Sequence, residues 1–460
     1  MVAFLSQKHK NIGIFGLGKT GLSSFESLNK VANVICYDQI NSSRESFAKI
    51  HGSTPLVKLS DPKWQTLDKI LLSPGVPLSH SIVEMAKSFN IPITSDIDLM
   101  FEESLLADFI AITGTNGKST TTALIGHILQ FCGFNYPIGG NIGTPSLSMQ
   151  LDCVGYVLEL SSFQLDLLNS FKAKIAVLLN ITKDHLDRHK DMATYIASKC
   201  KIFDRMDKDS CAVINIDDRI TADVFNTLAK KNKINLLPIS AKTILNSGVS
   251  IVNDVLYDNI FEPIALHLPH NKSLQGLHNQ ENIAASYASC RITGCSPKKI
   301  LVAIESFVGL PHRMQYVGTV KEVNFYNDSK ATNGIAASKS IASLDNVYWL
   351  AGGIAKNGGM EEIKPCFSKI NKAYLFGQDK ELIALLLKGK VNFQICRDLT
   401  EAFDLACRDA IKDISGNKNI LLAPACASFD QFKNFEERGD LFISLFNNLS
   451  DHSFHSSIRS

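Results

Sequence analysis

The segment from Phe109 to Leu124 constrains the fold more than any other part of this 460-residue chain. It opens with an apolar run, 109–112, that has the character of a buried strand. Two glycines, Gly114 and Gly117, then allow a tight turn, and a helix is predicted to begin near Lys118. The first N–H groups of a helix lack partners within it and carry partial positive charge. The turn is therefore predicted to bind phosphate.

The side chains after this turn suit a nucleotide with its metal ion. Lys118 is expected to reach the outer phosphates, and Ser119 or Thr120 to offer a hydroxyl group to Mg²⁺. The usual phosphate loop carries a further glycine where this chain has Ile112. The simpler interpretation is an ordinary strand-to-helix turn with an exposed lysine. Because a strand precedes the turn and a helix follows it, the sequence favours nucleotide binding.

Length and composition exclude several classes of protein. A chain of this length suggests about three domains, and a formal net charge of +2 argues against nucleic acid as a main partner. No apolar run approaches the roughly 18 residues of a membrane span, and the first ten residues lack the layout of a secretory signal. The 11 cysteines form no Cys-x-x-Cys pair. We therefore expect reduced thiols in a cytoplasmic protein without membrane insertion.

The first domain is predicted to cover residues 1–96 and to begin like a dinucleotide-binding fold. A strand at 11–16 leads into spaced glycines at positions 16, 18 and 21, and a second strand ends at Asp38, about 20 residues further on. The glycine pattern alone is weak evidence. A later strand is followed by Ser73, Pro74 and Gly75, which are expected at the ligand-binding edge of the sheet. A plain surface turn is the alternative there.

The middle domain is predicted at residues 97–309. Its apolar strand at 154–160 carries Glu159, and a carboxylate in such a run costs free energy unless it is paired or binds metal. A helix is predicted over 192–205, with Tyr195 and Lys199 one turn apart. The glycine-rich stretch 139–143 is expected to be a loop. A β-hairpin should turn at 253–254, and a helix should run from about 279 to 290.

The last domain is predicted at residues 310–460. Two short strands are expected within 316–326, a helix from Asn333, and further strands at 347–351, 373–377 and 419–423. Strands that alternate with helices imply a parallel sheet. The sequence therefore predicts a three-domain α/β protein. Its N-terminal and C-terminal domains are Rossmann-like, and its central domain has the mostly parallel sheet of a P-loop ATPase.

The residues alone leave the metal and the reaction open. Ser119, Glu159 and His185 are candidate Mg²⁺ ligands, although Mg²⁺ prefers oxygen. A zinc site from His185, Asp187 and His189 is the competing idea, with no further Cys or His to complete it. Asp184 or Asp187 is as well explained by loop capping, and the segment 328–330 by a solvated helix N-terminus. The chemistry is either ATP-driven bond formation through an acyl phosphate or phosphoryl transfer to a hydroxyl group.

Several motifs together resemble the Mur ligase family, over the chain from Gly16 to about Leu445. The motifs are Gly114-Thr-Asn-Gly-Lys-Ser-Thr120, Gly140-Asn-Ile-Gly143, Leu158-Glu-Leu-Ser-Ser-Phe-Gln164, Asp184-His-Leu-Asp-Arg188, His278-Asn-x-x-Asn282 and Leu310-Pro-His-Arg313. Two further segments, 327–333 and 422–439, resemble the members that add D-glutamate. The resemblance implies a monomeric, ATP-dependent ligase of peptidoglycan precursor synthesis. Its substrates are UDP-N-acetylmuramoyl-L-alanine and D-glutamate, and it uses two Mg²⁺ ions and an acyl phosphate intermediate.

The resemblance also implies a role for individual residues. Those implied for catalysis are Lys118, His185, Lys199 and Lys330. Those implied for ATP are Gly114, Thr115, Asn116, Gly117, Lys118, Ser119, Thr120, Asn279, Asn282, Arg313 and Asp328. Those implied for the UDP substrate are Thr20, Asp38, Ser73, Pro74, Gly75, Asn141 and Ser161, and those for D-glutamate are Thr332, Lys356, Ser428, Phe429 and Phe435. The implied metal ligands are Ser119, Glu159, His185 and Lys199, the last as a carbamate formed with CO₂.

The chain departs from the family pattern at two places. Gln315 stands where an acidic residue is common, and 352–356 lacks residues that often separate the glycines from Lys356. A folylpolyglutamate synthase-like ligase shares the phosphate loop, but should lack the Gly-x-Gly domain and the 423–439 run. A nucleotide-dependent binding protein with an inactive site is the third hypothesis. The candidate phosphate and Mg²⁺ ligands argue against it.

Overall fold

A computed structural model of the chain describes residues 4–355 and 360–457, without the side chains of Asp187 and of 450–457. The chain divides into two compact units. The first comprises Met1–Pro269 and Glu281–Ile304, and the second His270–Gln280 and Glu305–Ser460. None of the helices in the described part of the chain combines the length and the hydropathy needed to cross a membrane.

The N-terminal part of the first unit is a four-stranded parallel sheet with helices. Its strands are β1 (Asn11–Phe15), β2 (Asn33–Tyr37), β3 (Lys69–Leu72) and β4 (Ile93–Thr94). Its helices are α1 (Lys19–Leu28), α2 (Asn41–His51), α3 (Ser81–Ser88) and α4 (Asp96–Glu103). The strand order is β2-β1-β3-β4. A Cβ atom at Gly21 would lie 1.9 Å from the carbonyl oxygen of Gly16, so α1 can pack this closely on the turn only with glycine there.

A nine-stranded sheet follows in the same unit. Its strands are β5 (Asp108–Thr113), β6 (Ile138–Gly140), β7 (Gly155–Glu159), β8 (Ile175–Leu178), β9 (Cys211–Asn215), β10 (Asn235–Ser240), β11 (Gly248–Val252), β12 (Val255–Asn259) and β13 (Ile264–His267). Its helices are α5 (Lys118–Cys132), α6 (Ser162–Leu165), α7 (Leu186–His189), α8 (Met192–Cys200), α9 (Arg219–Lys231), α10 (Leu277–Ile292) and α11 (Pro297–Ser306). Residues 277–280 of α10 and 305–306 of α11 belong to the second unit.

The strand order of this sheet is β13-β12-β11-β10-β9-β8-β5-β7-β6. The strands from β6 to β11 pair in parallel, and β12 and β13 complete it by antiparallel pairing. All residues of β7 and β8 are buried, as is typical of parallel strands covered on both faces. This mostly parallel arrangement is the one the sequence predicts for the middle domain.

Three local predictions for this region are tested by the structure. The hairpin turn is confirmed, with positive φ at both Asn253 and Asp254, as a tight two-residue turn requires. The loop prediction for 139–143 is wrong at its start, because Gly139 and Gly140 pair with β7 as part of β6. The helix predicted over 192–205 is too long, because α8 ends at Cys200 and continues as a 3₁₀ turn, Lys201–Phe203.

The second unit contains a six-stranded sheet. Its strands are β14 (Gln315–Val320), β15 (Val323–Asn327), β16 (Val347–Gly352), β17 (Ile370–Phe376), β18 (Asn392–Ile395) and β19 (Lys418–Leu422). Its helices are α12 (Gly334–Ala342), α13 (Lys380–Leu387), α14 (Leu399–Lys412) and α15 (Phe435–Ser457). The strand order is β14-β15-β19-β16-β17-β18, with only the β14–β15 hairpin antiparallel.

The predicted strands of this unit are confirmed, with small differences at their ends. Asn333 is the N-cap of α12, and its side-chain oxygen accepts a hydrogen bond from the N–H group of Ala336 at 2.8 Å. The predicted α/β class, with three mostly parallel sheets, is therefore confirmed. The domain boundaries at 96/97 and 309/310 stay a prediction.

Candidate active site

The predicted phosphate loop joins β5 to α5 and turns at Gly117. Gly117 has φ +86°, and a Cβ atom there would lie 2.3 Å from Oδ1 of Asn282. The same Asn282 oxygen accepts a hydrogen bond from the Thr121 hydroxyl group at 3.2 Å. The start of α5 is therefore held against α10, and Asn282 lies beside the loop; its implied contact with ATP stays a prediction.

A second asparagine, which sequence reasoning missed, holds the other side of the loop. Asn180 follows β8, the neighbour of β5. Its Oδ1 accepts from the Asn116 N–H group at 2.9 Å, and its Nδ2 donates to the Asn116 carbonyl at 3.1 Å. Its own carbonyl accepts from the Thr115 N–H group at 2.8 Å. This exchange of hydrogen bonds fixes the turn, and the signal in the sequence was a polar residue directly after the apolar run 175–179.

Two lysines converge on the carbonyl oxygen of Gly114. Lys118 Nζ and Lys199 Nζ each donate to it at 2.8 Å, and Lys118 also donates to the Thr115 carbonyl at 2.8 Å. Lys199 is only 1% exposed, and its ammonium lies 4.7 Å from the centre of the Tyr195 ring. Burial, and next the charge of Lys118, hold the pKa of Lys199 well below its usual value.

Glu159 stands at the end of β7, opposite Ile112 of β5. It is 2% exposed, and Asn141 Nδ2 donates to its Oε1 at 2.7 Å. Its Oε2 is buried without a hydrogen-bond partner among the described residues. Such an oxygen is costly unless something else fills its coordination. Together with the buried hydroxyl group of Ser119 in the first turn of α5, this oxygen donor fits a Mg²⁺ ion.

His185, the other candidate ligand, has φ +52° and precedes α7. Its ring is half-exposed and lies 3.5 Å from an Asp184 oxygen and 5.1 Å from the Phe163 ring. His189 is instead buried, and its Nε2 lies 2.9 Å from the Ser162 hydroxyl group. Among the side chains that the structure describes, which exclude Asp187, no three His, Cys, Asp or Glu residues form a metal cluster. The described geometry gives the zinc alternative no support.

A cavity of about 480 Å³ in the first unit is lined by residues from both the N-terminal and the central parts of that unit. Six of the seven residues implied for the UDP substrate line it, namely Thr20, Asp38, Ser73, Pro74, Gly75 and Asn141. Ser161 lies outside this lining and instead caps α6 with Gln164, which does line the cavity. Residues from distant parts of the chain therefore meet at one concave site.

Asp38 shapes the wall of this cavity through the backbone. Its Oδ2 accepts from the Leu17 N–H group at 2.6 Å, and its Oδ1 from the Ile40 N–H group at 2.8 Å. The Ser73 hydroxyl group donates to the Gly16 carbonyl at 2.8 Å. Both side chains thus hold the glycine turn in position, in addition to facing the cavity.

Arg188 is a residue of the site to which the sequence assigned no role. Its guanidinium group donates to the carbonyls of Pro74, Gly75 and Val76 at 3.3, 3.2 and 2.7 Å. It also lies over the Phe163 ring, 5.0 Å from its centre. The loop after β3 is therefore fixed by an arginine that lies 112–114 residues further along the chain.

In the second unit, Asp328 and Arg313 interact electrostatically. Burial raises the pKa of Asp328 to about 6, opposed by a hydrogen bond from Ser340 and by the charge of Arg313.

Gln315, the departure from the family pattern, accepts a hydrogen bond from the His312 N–H group at 3.0 Å through Oε1. The His312 N–H group needs a hydrogen-bond acceptor, and the side-chain oxygen of a glutamine provides one as a carboxylate oxygen would. Asn279 is buried, and its Nδ2 donates to the Gln275 carbonyl at 2.9 Å.

Of the residues implied for D-glutamate, Thr332 follows β15, Ser428 and Phe429 follow β19, and Phe435 begins α15. Lys330 Nζ lies 3.8 Å from the centre of the Phe435 ring, and the Thr332 N–H group donates to the Lys330 carbonyl at 2.8 Å. Ser428 is buried and Phe429 is exposed. Lys356 lies outside the described residues, although Ile354 exchanges two backbone hydrogen bonds with Ala427, at 2.9 and 2.8 Å. The segment that leads to Lys356 is therefore paired with the one that leads to Ser428.

Comparison with known proteins matches both parts of the chain to one family. The model of the Mur ligase middle domain matches residues 112–290, and that of the Mur ligase glutamate ligase domain matches residues 312–426. A UDP-N-acetylmuramoylalanine--D-glutamate ligase from Rickettsia bellii is 60% identical over 443 residues, which cover 96% of this chain and 98% of the relative. A protein of the same name from Caulobacter vibrioides is 41% identical and covers 98% of each chain.

Solved structures of low sequence identity share the fold. A UDP-N-acetylmuramate-alanine ligase from Thermotoga maritima superposes with a TM-score of 0.57 at 17% identity, over 96% of this chain and all (100%) of that chain. A pseudomurein peptide ligase type C from Methanothermus fervidus has a TM-score of 0.57 at 16% identity, over the same shares. With the matches above, these findings confirm the resemblance. The chain belongs to the Mur ligase family, alongside its UDP-N-acetylmuramoylalanine--D-glutamate ligases.

Proposed function

We propose that the protein joins D-glutamate to UDP-N-acetylmuramoyl-L-alanine while ATP is converted to ADP and phosphate. The observation that carries the proposal is the convergence of Lys118 and Lys199 on the Gly114 carbonyl, in the unit where Glu159 keeps one buried oxygen unpaired. Nearly full-length relatives bear the corresponding name. Phosphoryl transfer depends mainly on positioning and on stabilising charge, which this arrangement of cations suits.

The first step forms an activated carboxyl group. An oxygen of the substrate carboxylate attacks the γ-phosphorus of ATP, the bond to the β,γ-bridging oxygen breaks, and ADP leaves. Lys118 follows the phosphate loop directly, so its ammonium would stabilise charge on the transferring group. The N–H groups at the start of α5 would bind the phosphates. Asn282, whose side-chain oxygen lies beside Gly117, would hold the loop in position.

Two Mg²⁺ ions would neutralise phosphate charge, held by Ser119, Glu159, His185 and a carbamylated Lys199. The low pKa of Lys199 supports the modification, because only a neutral amine adds to CO₂. The addition forms an N–C bond and releases one proton, and it converts a buried cation into an anion. The hydrogen bond that Lys199 donates to Gly114 holds the amine beside the phosphate loop.

The two substrates are assigned to separate sets of residues. The UDP part would occupy the cavity of about 480 Å³ in the first unit, with its glycine turn and the loop at 73–75. D-Glutamate would bind through Thr332, Lys356, Ser428, Phe429 and Phe435. In the second step its amine attacks the acyl carbonyl carbon and phosphate leaves. The ammonium group of D-glutamate loses one proton before the attack and the nitrogen loses a second as the amide forms; these protons pass to solvent, to a nearby base or to the departing phosphate.

The test is phosphate release from ATP in the presence of UDP-N-acetylmuramoyl-L-alanine and one amino acid at a time. The panel contains D-glutamate, L-glutamate, meso-diaminopimelate and L-lysine. Release only with D-glutamate supports the proposal. Release with another amino acid retains the ligase mechanism and overturns the choice of substrate. No release with any of them overturns the proposed reaction.

We propose further that the enzyme is a monomer of the cytoplasm. All eleven cysteines are free thiols, which suits a reducing compartment. Sedimentation equilibrium with and without nucleotide tests the monomer, and a mass of two chains or more contradicts it. Cell fractionation against a periplasmic marker tests the compartment.

A further inference from the structure

Arg438 is a fully buried arginine in the first turn of α15, with 0% of its surface exposed. Neither the sequence nor the comparisons assign it a role. Its Nε donates to the Ser329 hydroxyl group at 3.0 Å and its NH2 to the Ser329 carbonyl at 2.9 Å. Its NH1 donates to the carbonyls of Gly352 and Cys426 at 3.3 and 3.1 Å. One guanidinium group therefore holds three separate backbone segments.

These three segments follow three adjacent parallel strands. Ser329 comes after β15, Gly352 ends β16, and Cys426 comes after β19, which lies between the other two strands in the sheet. The loops at the carboxyl ends of parallel strands form the ligand-binding edge of such sheets. Arg438 thus joins the backbones from which that edge is built.

The rest of the first turn of α15 is fixed to the same region. The Ser329 hydroxyl group donates to the Phe435 carbonyl at 2.8 Å, and Asn327 Nδ2 donates to the Gly439 carbonyl at 3.0 Å. A Cβ atom at Gly439 would lie 2.1 Å from the His312 ring. The helix cannot shift without breaking these contacts, so the guanidinium group is presented to the loops in one orientation.

Arg438 has no carboxylate within ion-pair distance among the described residues, although the charge of Asp430 interacts with its guanidinium group. All its acceptors are neutral oxygens. Burial accordingly lowers the pKa of Arg438 to about 10, at which the group still carries its charge near neutral pH. The four hydrogen bonds that this charged group donates to the three segments are therefore charge-assisted, which makes them stronger than bonds between neutral groups.

We propose that Arg438 is a positioning residue for the anionic amino-acid substrate. It holds Ser329, Gly352 and Cys426, at the carboxyl ends of β15, β16 and β19, in one register. The inference rests on the proposed function, because these loops carry the residues assigned to D-glutamate. Arg438 acts through the loops and not on the reacting atoms.

The test compares variants by steady-state kinetics, with each substrate varied in turn. Arg438→Lys keeps a positive charge but lacks the planar fork that reaches three carbonyls. We expect its KM for D-glutamate to rise about 10- to 100-fold, at least ten times more than its KM for UDP-N-acetylmuramoyl-L-alanine. Ser329→Ala removes one acceptor of Arg438, the hydroxyl group, and leaves the three carbonyl acceptors in place. A smaller rise in the KM for D-glutamate is therefore expected. This variant tests the inference even if Arg438→Lys does not fold.

A matched control separates positioning from lost stability. Ile383→Val shortens a buried side chain of α13, in a described core cluster that contains no α15 side chain, and should lower the thermal midpoint without changing the KM for D-glutamate. Equal KM values for wild type, Ser329→Ala and any folded Arg438 variant overturn the inference, as does a KM increase in Ile383→Val of the same size. A wild-type enzyme inactive with D-glutamate overturns the proposed function instead.

Discussion

Lys118 and Lys199 donate hydrogen bonds to the same carbonyl oxygen, that of Gly114, each at 2.8 Å. Two ammonium groups on one acceptor repel each other, which is one reason why the pKa of Lys199 is low. Lys118 also donates to the Thr115 carbonyl at 2.8 Å, which keeps its ammonium group at the loop where a phosphate is expected. The pair therefore combines a cation placed for phosphate with an amine that is easily made neutral.

Replacing Lys118 with Met should lower kcat at least about 100-fold, because one donor to the transferring group is lost. The side chain keeps most of its apolar length, so the thermal midpoint should change little. Phosphate release at saturating substrates measures the effect, and circular dichroism checks the fold. Normal ATP-dependent ligation by this variant would show that the phosphate-loop interpretation is wrong.

Gly117→Ala should abolish turnover, because the new methyl group would stand 2.3 Å from Asn282 Oδ1 at a φ of +86°. Gly133→Ala is the matched control. That glycine ends the same helix at φ +93°, with nothing within 4 Å of a new Cβ atom, so only a strain of about 1–2 kcal/mol is expected. Nucleotide binding by calorimetry should be lost in the first variant and kept in the second. Equal nucleotide affinity of the two variants would contradict the close approach of residue 117 to Asn282.

Lys199 should carry a carbamate when CO₂ is present. A ¹³C NMR signal is expected after incubation with ¹³C-bicarbonate, and removal of CO₂ should reduce turnover reversibly. Lys199→Met should lose both effects. Lys201→Met is the control, because Lys201 is half-exposed and pairs with Asp166 at 3.0 Å. A carbamate signal that survives in Lys199→Met would assign the modification to another amine.

Arg188→Met should raise the KM for the UDP substrate about tenfold or more, since three carbonyls of the loop at 74–76 lose their common donor. The KM for ATP should change much less. Arg205→Met serves as control, because Arg205 is exposed and donates to a single carbonyl, that of Asn169. An equal rise of both KM values would indicate general disruption and not a role in shaping the cavity.

Asp96 should make stability depend on pH. Burial raises the pKa of Asp96 from 3.8 to about 6, so the folded state holds a proton that the unfolded state releases in that range. The resulting stabilisation is complete below about pH 3.8 and is lost as the pH rises through 6, with a size of about 3 kcal/mol. Asp96→Asn should therefore raise the thermal midpoint at pH 8 relative to wild type, and the difference should shrink towards pH 4.

The control for this prediction is Asp98→Asn. Asp98 accepts hydrogen bonds from three successive backbone N–H groups, those of residues 169–171. Its replacement should lower the midpoint at pH 8, because an amide is a weaker acceptor than a carboxylate. The explanation for Asp96 is wrong if Asp96→Asn lowers the thermal midpoint, relative to wild type, by the same amount at pH 8 and at pH 4.

Much of the fold could be predicted because its signals are local. The phosphate loop, the Asn253–Asp254 hairpin and the cap at Asn333 each depend on a few consecutive residues. One error arose where the structure depends on a segment further along the chain. The pairing of Gly139 and Gly140 with β7 depends on a strand that comes later in the chain, and glycine itself has little strand preference.

The sequence by itself determined the class of the fold, the phosphate loop and the family, because apolar periodicity and spaced glycines act over short distances. Only the tertiary structure decided which polar groups find partners. Lys199 reaches a carbonyl 85 residues away, and Arg438 reaches one 109 residues away. The unpaired oxygen of Glu159 depends in the same way on every neighbour that surrounds it. Such contacts set burial, and burial sets the pKa values and charges on which the chemistry depends.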